Sequence, residues 1–180
     1  RLIAGETDLG LIPVAMLASM EEYHLVGDYC LSTNGEVRTV LLVSNTPFEQ
    51  IRVIYLDFRS RSSVTLCRIL AARFWNREFE WRPTDESFDI RAMAEGEGAV
   101  LIGDRCFEYA RFFSLKLDLG LEWKRFTGLP FVFACWVSAK KLPEEFTSLF
   151  NKALGEGLER RNEAVALLEK DSAATPEEVI

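Results

Sequence analysis

The 180-residue sequence lacks several of the residues and motifs on which common catalytic and metal sites depend. Its one histidine, His24, has no candidate nucleophile near it, so a Ser-His-Asp or Cys-His mechanism is not indicated and a surface position is expected. A metal site built on a histidine cluster is excluded, and we expect no metal. Neither a P-loop nor a G-x-G-x-x-G motif is present, and we expect no cofactor.

Positive charge and long apolar runs are also scarce. The chain has 21 Lys and Arg residues and 28 Asp and Glu residues, which gives a net charge of -7. This argues against nucleic acid or an anionic membrane as a partner, because both bind an extended basic face. No apolar run approaches the roughly 20 residues of a membrane span, and the chain does not open on a signal peptide. We expect a small molecule as the partner, and the oligomeric state is left open.

Paired cysteine motifs are absent as well. The four cysteines are scattered, with no C-x-x-C pair, so neither a zinc site nor a thioredoxin motif is indicated. Buried free thiols in a reducing compartment are the simpler interpretation, and we expect the protein in the cytoplasm. The residues concerned are Cys30, Cys67, Cys106 and Cys135.

Hydrophobic residues make up 48% of the chain, which is enough for the core of one domain or of two small lobes. Their spacing predicts strands alternating with helices, the pattern of parallel α/β units. Strands are predicted at residues 9–15, 23–31, 37–43, 53–56, 78–82, 98–104, 115–120 and 128–137, with the second and third fitting a hairpin. Helices are predicted at residues 15–22, 87–94, 105–112, 120–126 and 158–169. Two more are predicted, one from the serines at 60–63 to residue 74 and one that begins at residue 143. Residues 172–180 form a polar end.

The chain is organised around residues 54–75, which predict a strand, a polar loop and a helix. The loop holds Ser60, Arg61, Ser62 and Ser63, preceded by Arg59. Serine hydroxyls satisfy free N–H groups at a helix start, and the remaining N–H groups and the helix dipole favour a carboxylate or a phosphate. Two interpretations stay open: an ordinary serine N-cap with surface arginines, or an anion-binding site.

Other predicted strand ends carry polar groups of the same kind. Pro13 and Val14 present backbone at the carboxyl end of the first strand, where open α/β sheets bind ligands. Thr39 is either a β-favouring sheet residue or a ligand contact. Gly103 and Asp104 end a buried strand, and Asp104 is either a helix N-cap or a ligand contact. Together with the serine loop, this set suits an anionic small molecule of unspecified identity.

Five segments match a known family in order and spacing. They lie at residues 5–15, 27–30 with 37–42, 60–64, 102–104 and 118–134. The last is the most specific, because Trp123, Gly128 and Pro130 are in register within one long run. Through these segments, residues 5–158 of the chain resemble the menaquinone-biosynthesis family that includes chorismate dehydratase, in the branch that runs through futalosine.

The resemblance implies an α/β, two-lobed fold like that of type II periplasmic binding proteins. Lobe one would comprise two pieces, residues 1–45 and residues 112–180. The second piece contains the return crossing and the C-terminal helices. Lobe two would comprise residues 46–111, with crossings near 43–48 and 112–118. The family has a further N-terminal strand-helix-strand with an Asn that faces the ligand. This sequence lacks that segment, so we expect lobe one to be incomplete.

The activity implied by the resemblance is a lyase reaction, loss of water from chorismate to give 3-[(1-carboxyvinyl)oxy]benzoate. Ser60, Ser62 and Ser63 with their backbone amides would hold one carboxylate, with Arg61 as a nearby positive charge. Thr39 would hydrogen-bond the other carboxylate or the departing hydroxyl. The expected catalytic residues are Thr39 and Ser63, and the substrate-binding set also includes Pro13, Val14, Gly103 and Asp104.

Two alternatives remain. The sister enzyme 1,4-dihydroxy-6-naphthoate synthase shares the family fold, but the family pattern places a histidine near its site, where this sequence has Gly103 and Asp104. The other alternative is a non-catalytic protein that captures a small anion.

Overall fold

The structure is a computed structural model in which residues 1–2 and 4–168 are described. The expected α/β class is confirmed, since strands and helices alternate along the chain. The strands are β1 Leu9–Pro13, β2 His24–Thr33, β3 Val40–Ser44, β4 Val53–Leu56, β5 Glu80–Pro83, β6 Glu97–Ile102, β7 Leu115–Asp118 and β8 Phe131–Ser138. The α-helices are α1 Arg61–Arg73, α2 Arg105–Tyr109, α3 Leu119–Thr127, α4 Glu144–Glu159 and α5 Arg161–Leu168.

The strands form two sheets, of order β1-β8-β2 and β5-β4-β6-β3-β7. In the larger sheet β4 is parallel to β5 and β6, as the alternating pattern predicts, whereas β3 is antiparallel to β6 and β7. The expected hairpin between the strands at 23–31 and 37–43 is wrong, because β2 and β3 belong to different sheets. All five residues of β3 are buried. A strand buried on both faces needs a central place with cover on each side, which the position between β6 and β7 supplies.

Two helix predictions need correction. The helix expected at 15–22 is a short 3-10 helix, Val14–Ser19. The helix expected at 87–94 is reduced to a single 3-10 turn, Ile90–Ala92. There the Asp85 carboxylate accepts hydrogen bonds from the Ser87 amide and hydroxyl, and local bonds of this kind compete with a helix. The polar end expected at 172–180 lies outside the described residues.

The chain divides into two compact units. One takes in Arg1–Leu11, Glu21–Tyr29 and the described part of Cys135–Ile180, and the other takes in Ile12–Met20 and Cys30–Ala134. The lobe boundaries expected from the family resemblance stay a prediction. Among the described residues, no helix is long and apolar enough to cross a membrane.

The second unit is built on the five-stranded sheet, which has an apolar cluster on each face. Leu42 and Val100 belong to the cluster that α1 and α3 cover. Leu41 and Leu101, one residue along each strand, belong to the other cluster. Because side chains alternate across a strand, β3 and β6 are buried on both faces. This sheet therefore holds the residues at its ends in fixed positions.

In the first unit, α4 contacts strand residues through an aromatic pair and through the side chain of one asparagine. The rings of Trp136 and Phe150 meet edge-on with their centroids 5.0 Å apart. Asn151 accepts a hydrogen bond from the Asp28 amide at 2.9 Å and donates one to the Asp28 carboxylate at 3.0 Å. A Cβ added at Gly27, where φ is +82°, would lie 2.5 Å from the Asn151 side-chain oxygen, so this close approach needs glycine.

Candidate functional site

The serine loop joins β4 to α1 and begins the helix as the sequence predicts. Ser60 has extended backbone angles and its Oγ accepts a hydrogen bond from the Ser63 amide at 3.2 Å, so Ser60 is the N-cap of α1. Among the described residues, no acceptor takes the amide hydrogens of Arg61 and Ser62. The start of α1 therefore retains two N–H groups for an acceptor from outside the chain.

Most of the serine hydroxyls are already engaged within the fold. The Ser60 hydroxyl donates to Ser63 Oγ at 2.8 Å. The Ser62 hydroxyl donates to the Phe133 carbonyl at 2.7 Å and accepts from the Ala15 amide at 3.4 Å. Ser62 and Ser63 are each only 2% exposed. The backbone amides are thus better placed than the hydroxyls to meet a ligand.

Pro13 and Val14 lie beside the start of α1. The 3-10 helix that begins at Val14 sends the Ala15 amide to Ser62 Oγ, and Arg61 Nη1 lies 3.1 Å from Met16 Sδ. The structure therefore brings these two predicted residues next to the serine loop, although the residues lie about 47 positions apart in the chain.

Gly103 and Thr39 meet through their backbones. The Gly103 amide donates to the Thr39 carbonyl at 2.9 Å, and the Thr39 hydroxyl donates to the Val37 carbonyl at 3.3 Å. Gly103 has φ of +62°, and no atom lies within 4 Å of the position a Cβ would take. The turn after β6 therefore leaves open space beside Gly103.

Asp104 does not act as the helix N-cap that was one of its two expected roles. Its backbone angles are helical and its side chain makes no capping hydrogen bond. The first turn of α2 is instead closed by backbone bonds from the Cys106 amide to the Gly103 carbonyl and from the Phe107 amide to the Asp104 carbonyl. The Asp104 carboxylate is exposed.

The sheet topology explains why these groups share one edge. β4 and β6 are parallel neighbours, so the serine loop and Gly103–Asp104 follow the same ends of adjacent strands. β3 runs antiparallel to β6, and Val40 pairs with Ile102, which places Thr39 at that edge too. One edge of the sheet therefore carries all three predicted groups.

Asp57 is a site feature that sequence reasoning missed. It follows β4, is 4% exposed, and its carboxylate accepts from the Arg59 amide at 3.0 Å and from Arg59 Nε at 3.2 Å. Arg105 Nη1 lies 3.5 Å from its other oxygen. Asp57, Arg59 and Arg105 form a group, the Asp57 cluster, in which two guanidinium groups meet one buried carboxylate. The cluster itself therefore has an excess of positive charge, which favours an anion close to it. The available signal was an Asp at a strand end with an Arg two residues later.

Two cavities of similar size open on the second unit, besides a smaller one next to Asn45. One of about 730 Å³ is lined in part by Arg59, Arg105 and Tyr109 at the site edge. The other, of about 770 Å³, is lined by Arg68 and Trp81 among others. Neither cavity is lined by a predicted site residue, so the predicted set occupies a different part of the edge.

Cysteine and histidine side chains, which could act as a nucleophile or a base, are not among the predicted site residues. Burial raises the pKa of the Cys106 thiol, in α2, to about 12, which keeps it protonated at neutral pH. His24 is partly exposed, with Nε2 3.4 Å from Glu22 Oε1. In the described ranges 1–2 and 4–168, no three His, Cys, Asp or Glu side chains gather closely enough to hold a metal ion.

Comparison with known proteins adds three findings. Residues 1–179 match the family described as menaquinone biosynthesis. The chain is 27% identical over 184 residues to a protein of Thermus thermophilus named chorismate dehydratase, covering 90% of this chain and 66% of that protein's length. A crystal structure of protein AF1704 from Archaeoglobus fulgidus is similar in fold, with a TM-score of 0.71 at 15% identity, over 98% of this chain and 68% of that one.

Proposed function

Because this chain belongs to the menaquinone biosynthesis family, we propose that the protein acts as a lyase that removes water from chorismate. The product would be 3-[(1-carboxyvinyl)oxy]benzoate. The observation that carries the proposal is the start of α1, where two amides without an acceptor in the described chain lie near the positive charge of the Asp57 cluster. Chorismate has two carboxylates, and a helix start with arginines nearby suits one of them. The Thermus thermophilus relative supports the same substrate.

We assign the substrate's first carboxylate to the amides of Arg61 and Ser62, with the Ser63 hydroxyl as a further donor. The Ser63 hydroxyl already accepts from Ser60, so its own proton is the one available to a ligand. Arg61 adds a positive charge that is exposed to solvent. Ser60 and Ser62 support this arrangement from behind, through the hydrogen bonds they make within the fold.

Thr39 is assigned to the other carboxylate or to the departing hydroxyl. Its hydroxyl donates only a long 3.3 Å bond to the Val37 carbonyl, which a ligand can replace. Pro13, Val14, Gly103 and Asp104 would line the substrate. The open space beside Gly103 is consistent with close approach of a ring.

The reaction needs positioning more than an acid or a base. The bond from a ring carbon to the hydroxyl oxygen breaks, the neighbouring ring carbon loses its hydrogen as a proton, and the ring becomes aromatic. No electrons are gained or lost overall, so no redox cofactor is required by the balance. We propose that the substrate's own side-chain carboxylate takes the proton, since the site lacks a histidine.

We also propose the two-lobed arrangement of type II periplasmic binding proteins, with lobe two at about residues 46–111. This proposal is supported by the mixed five-stranded sheet, which has the serine loop, Thr39 and Gly103 together at one edge. The cytoplasm stays the proposed compartment, supported by Cys67 and Cys106, which are buried thiols outside any disulfide. The expectation of burial is wrong for Cys30, which is exposed.

The test is to incubate the protein with chorismate and to follow the products by liquid chromatography with mass spectrometry. We expect a product lighter than chorismate by one water, absent without protein. Ser63→Ala and Thr39→Ala should each lower kcat/KM by about tenfold or more, because a hydrogen bond to a charged group is lost. Ser32→Ala, at an exposed serine of β2, is the matched control and should match wild type.

The other outcomes separate the alternatives. Intact chorismate together with a thermal shift would favour a non-catalytic anion-binding protein. If the protein neither binds nor converts chorismate, chorismate is not its ligand. The sister enzyme's substrate is then the next compound to test. Turnover that is unchanged in both Ser63→Ala and Thr39→Ala would mean that the site assignment is wrong.

A further inference from the structure

Asp118 makes more hydrogen bonds than a helix cap requires. It ends β7, is 9% exposed, and caps α3 through the bond from the Leu121 amide to Oδ1 at 3.0 Å. The Val37 amide donates to both carboxylate oxygens, at 3.1 and 3.0 Å. The Arg38 amide donates to Oδ2 at 2.6 Å. One carboxylate therefore holds two consecutive amides from the segment before β3, 80 residues away in the chain.

Those two amides belong to a strained turn. Arg38 has φ of +66°, in the left-handed region that side chains with a Cβ rarely adopt. Its side chain is exposed, and no hydrogen bond or ion pair to it is found among the described residues. The conformation is thus favoured by the backbone bond to Asp118 and not by anything the guanidinium group does. Strain of this kind persists where the surroundings enforce it, often at functional sites.

The strained turn leads directly into Thr39. The Thr39 hydroxyl donates to the Val37 carbonyl, and the Thr39 carbonyl accepts from the Gly103 amide. The backbone dihedral angles of Arg38 therefore set the position of Thr39 relative to Gly103. We propose that Asp118 is a positioning residue, which acts on substrate through Thr39 by holding Arg38 in the left-handed conformation. This inference rests on the proposed function, in which Thr39 contacts chorismate.

Asp118→Asn separates this role from capping of α3. Asparagine is as good an N-cap as aspartate, and its remaining oxygen in the place of Oδ1 keeps the Leu121 bond. Its NH₂ group in the place of Oδ2 would face the Arg38 amide, donor against donor, so the bond that holds the turn is lost. Arg38→Gly is the partner variant, because glycine adopts positive φ without strain.

The experiment measures chorismate turnover and thermal melting of wild type, Asp118→Asn, Arg38→Gly and the double variant. We expect Asp118→Asn to lower kcat about tenfold or more, with a smaller change in KM, since misplacement of a catalytic group acts mainly on turnover. Arg38→Gly alone should stay within about twofold of wild type, as expected of an exposed side chain without partners. In the double variant, kcat should recover by at least about threefold over Asp118→Asn, because the turn no longer needs to be held against strain.

A second readout does not depend on activity. Hydrogen exchange of the Arg38 amide should be faster in Asp118→Asn than in wild type, while the amides inside α3 keep their protection.

The outcomes that overturn the inference differ from those that overturn the function. Wild-type protein that leaves chorismate intact overturns the proposed function, and the exchange measurement then decides whether Asp118 holds the turn. Equal kcat and equal exchange in wild type and Asp118→Asn overturn the inference. A loss of kcat that parallels a lower melting temperature, and that Arg38→Gly does not relieve, would show that Asp118 serves the fold alone.

Discussion

Ser62 illustrates, at the scale of a residue, how a side chain typical of a ligand site can instead be used by the fold. Its hydroxyl both donates to the Phe133 carbonyl and accepts from the Ala15 amide, and it is 2% exposed. The start of α1 is thereby tied to β8 and to the segment after β1. The part of Ser62 that remains for a ligand is its backbone N–H.

Ser62→Ala should lower the free energy of unfolding by about 1–3 kcal/mol, because the Phe133 carbonyl and the Ala15 amide, both on partly buried residues, each lose a partner. Urea unfolding followed by circular dichroism measures this loss. Ser32→Ala, at an exposed site, should change it by less than about 0.5 kcal/mol. Equal stability of the two variants would mean that the Ser62 hydroxyl contributes nothing to the fold.

Asp57 and Asp118 show what local sequence patterns miss at this scale. Each is a carboxylate at the carboxyl end of a strand, and each contacts a donor that is distant in the chain. The donor is Arg105 of α2 for Asp57, and the Arg38 amide before β3 for Asp118. Nothing within a few positions of Asp118 in the chain identifies Val37 and Arg38 as its partners. The Ser60 cap was predictable because its partner, the Ser63 amide, is three residues away.

At the scale of an element, α3 begins against the loop between β2 and β3. A Cβ added at Gly120 would lie 2.6 Å from the Gly35 carbonyl oxygen and 2.7 Å from Thr33 Cγ2. The helix can therefore lie on that loop only with glycine at this position. The same loop leads into the turn that Asp118 holds.

Gly120→Ala should destabilise the protein by about 1–3 kcal/mol, because a backbone carbonyl must move, although alanine is the better helix former. Gly157→Ala in α4 is the matched control. No atom lies within 4 Å of its added Cβ, so it should instead stabilise by about 0.5–1 kcal/mol. Chemical unfolding of both variants measures the two opposite signs, and a gain in both would contradict the close packing at Gly120.

Elements with strong periodicity were the predictable ones. The helix at α1 and the strand at β8 follow from apolar spacing along the chain, and α4 begins after Pro143 as expected. The helix expected at 87–94 was wrong because the carboxylates of Asp85 and Asp89 accept hydrogen bonds from nearby amides, and such bonds favour turns. The hairpin was wrong because pairing depends on burial of both faces of β3, which the local pattern does not reveal.

At the scale of the whole molecule, two buried thiols link stability to pH. Burial raises the pKa of Cys67 and of Cys106 from the ordinary value of 9.0 to about 12. In the unfolded chain these thiols ionise near pH 9. A folded-state pKa above the unfolded one means stability that is fully present below pH 9 and is lost as the pH rises from 9 to 12.

The loss at pH 10 should be about 1.4 kcal/mol for each thiol, relative to pH 8. Urea unfolding at both pH values measures it. Cys67→Ala lowers stability at every pH, but its drop between pH 8 and pH 10 should be smaller than that of wild type by about 1.4 kcal/mol. Cys30→Ala, at an exposed cysteine, should show the wild-type drop. An unchanged drop in Cys67→Ala would mean that this thiol ionises in the folded protein.

By itself, the sequence determined the α/β class, the N-cap of α1, most strands and helices, and the family to which the chain belongs. These depend on spacing and cap chemistry within a few residues, or on motifs read along the chain. Only the tertiary structure decided the separate sheets of β2 and β3, the partners of Ser62, and the pairings of Asp57 and Asp118. The physical reason is distance along the chain: buried hydrogen bonds and sheet pairing join groups that local patterns do not connect.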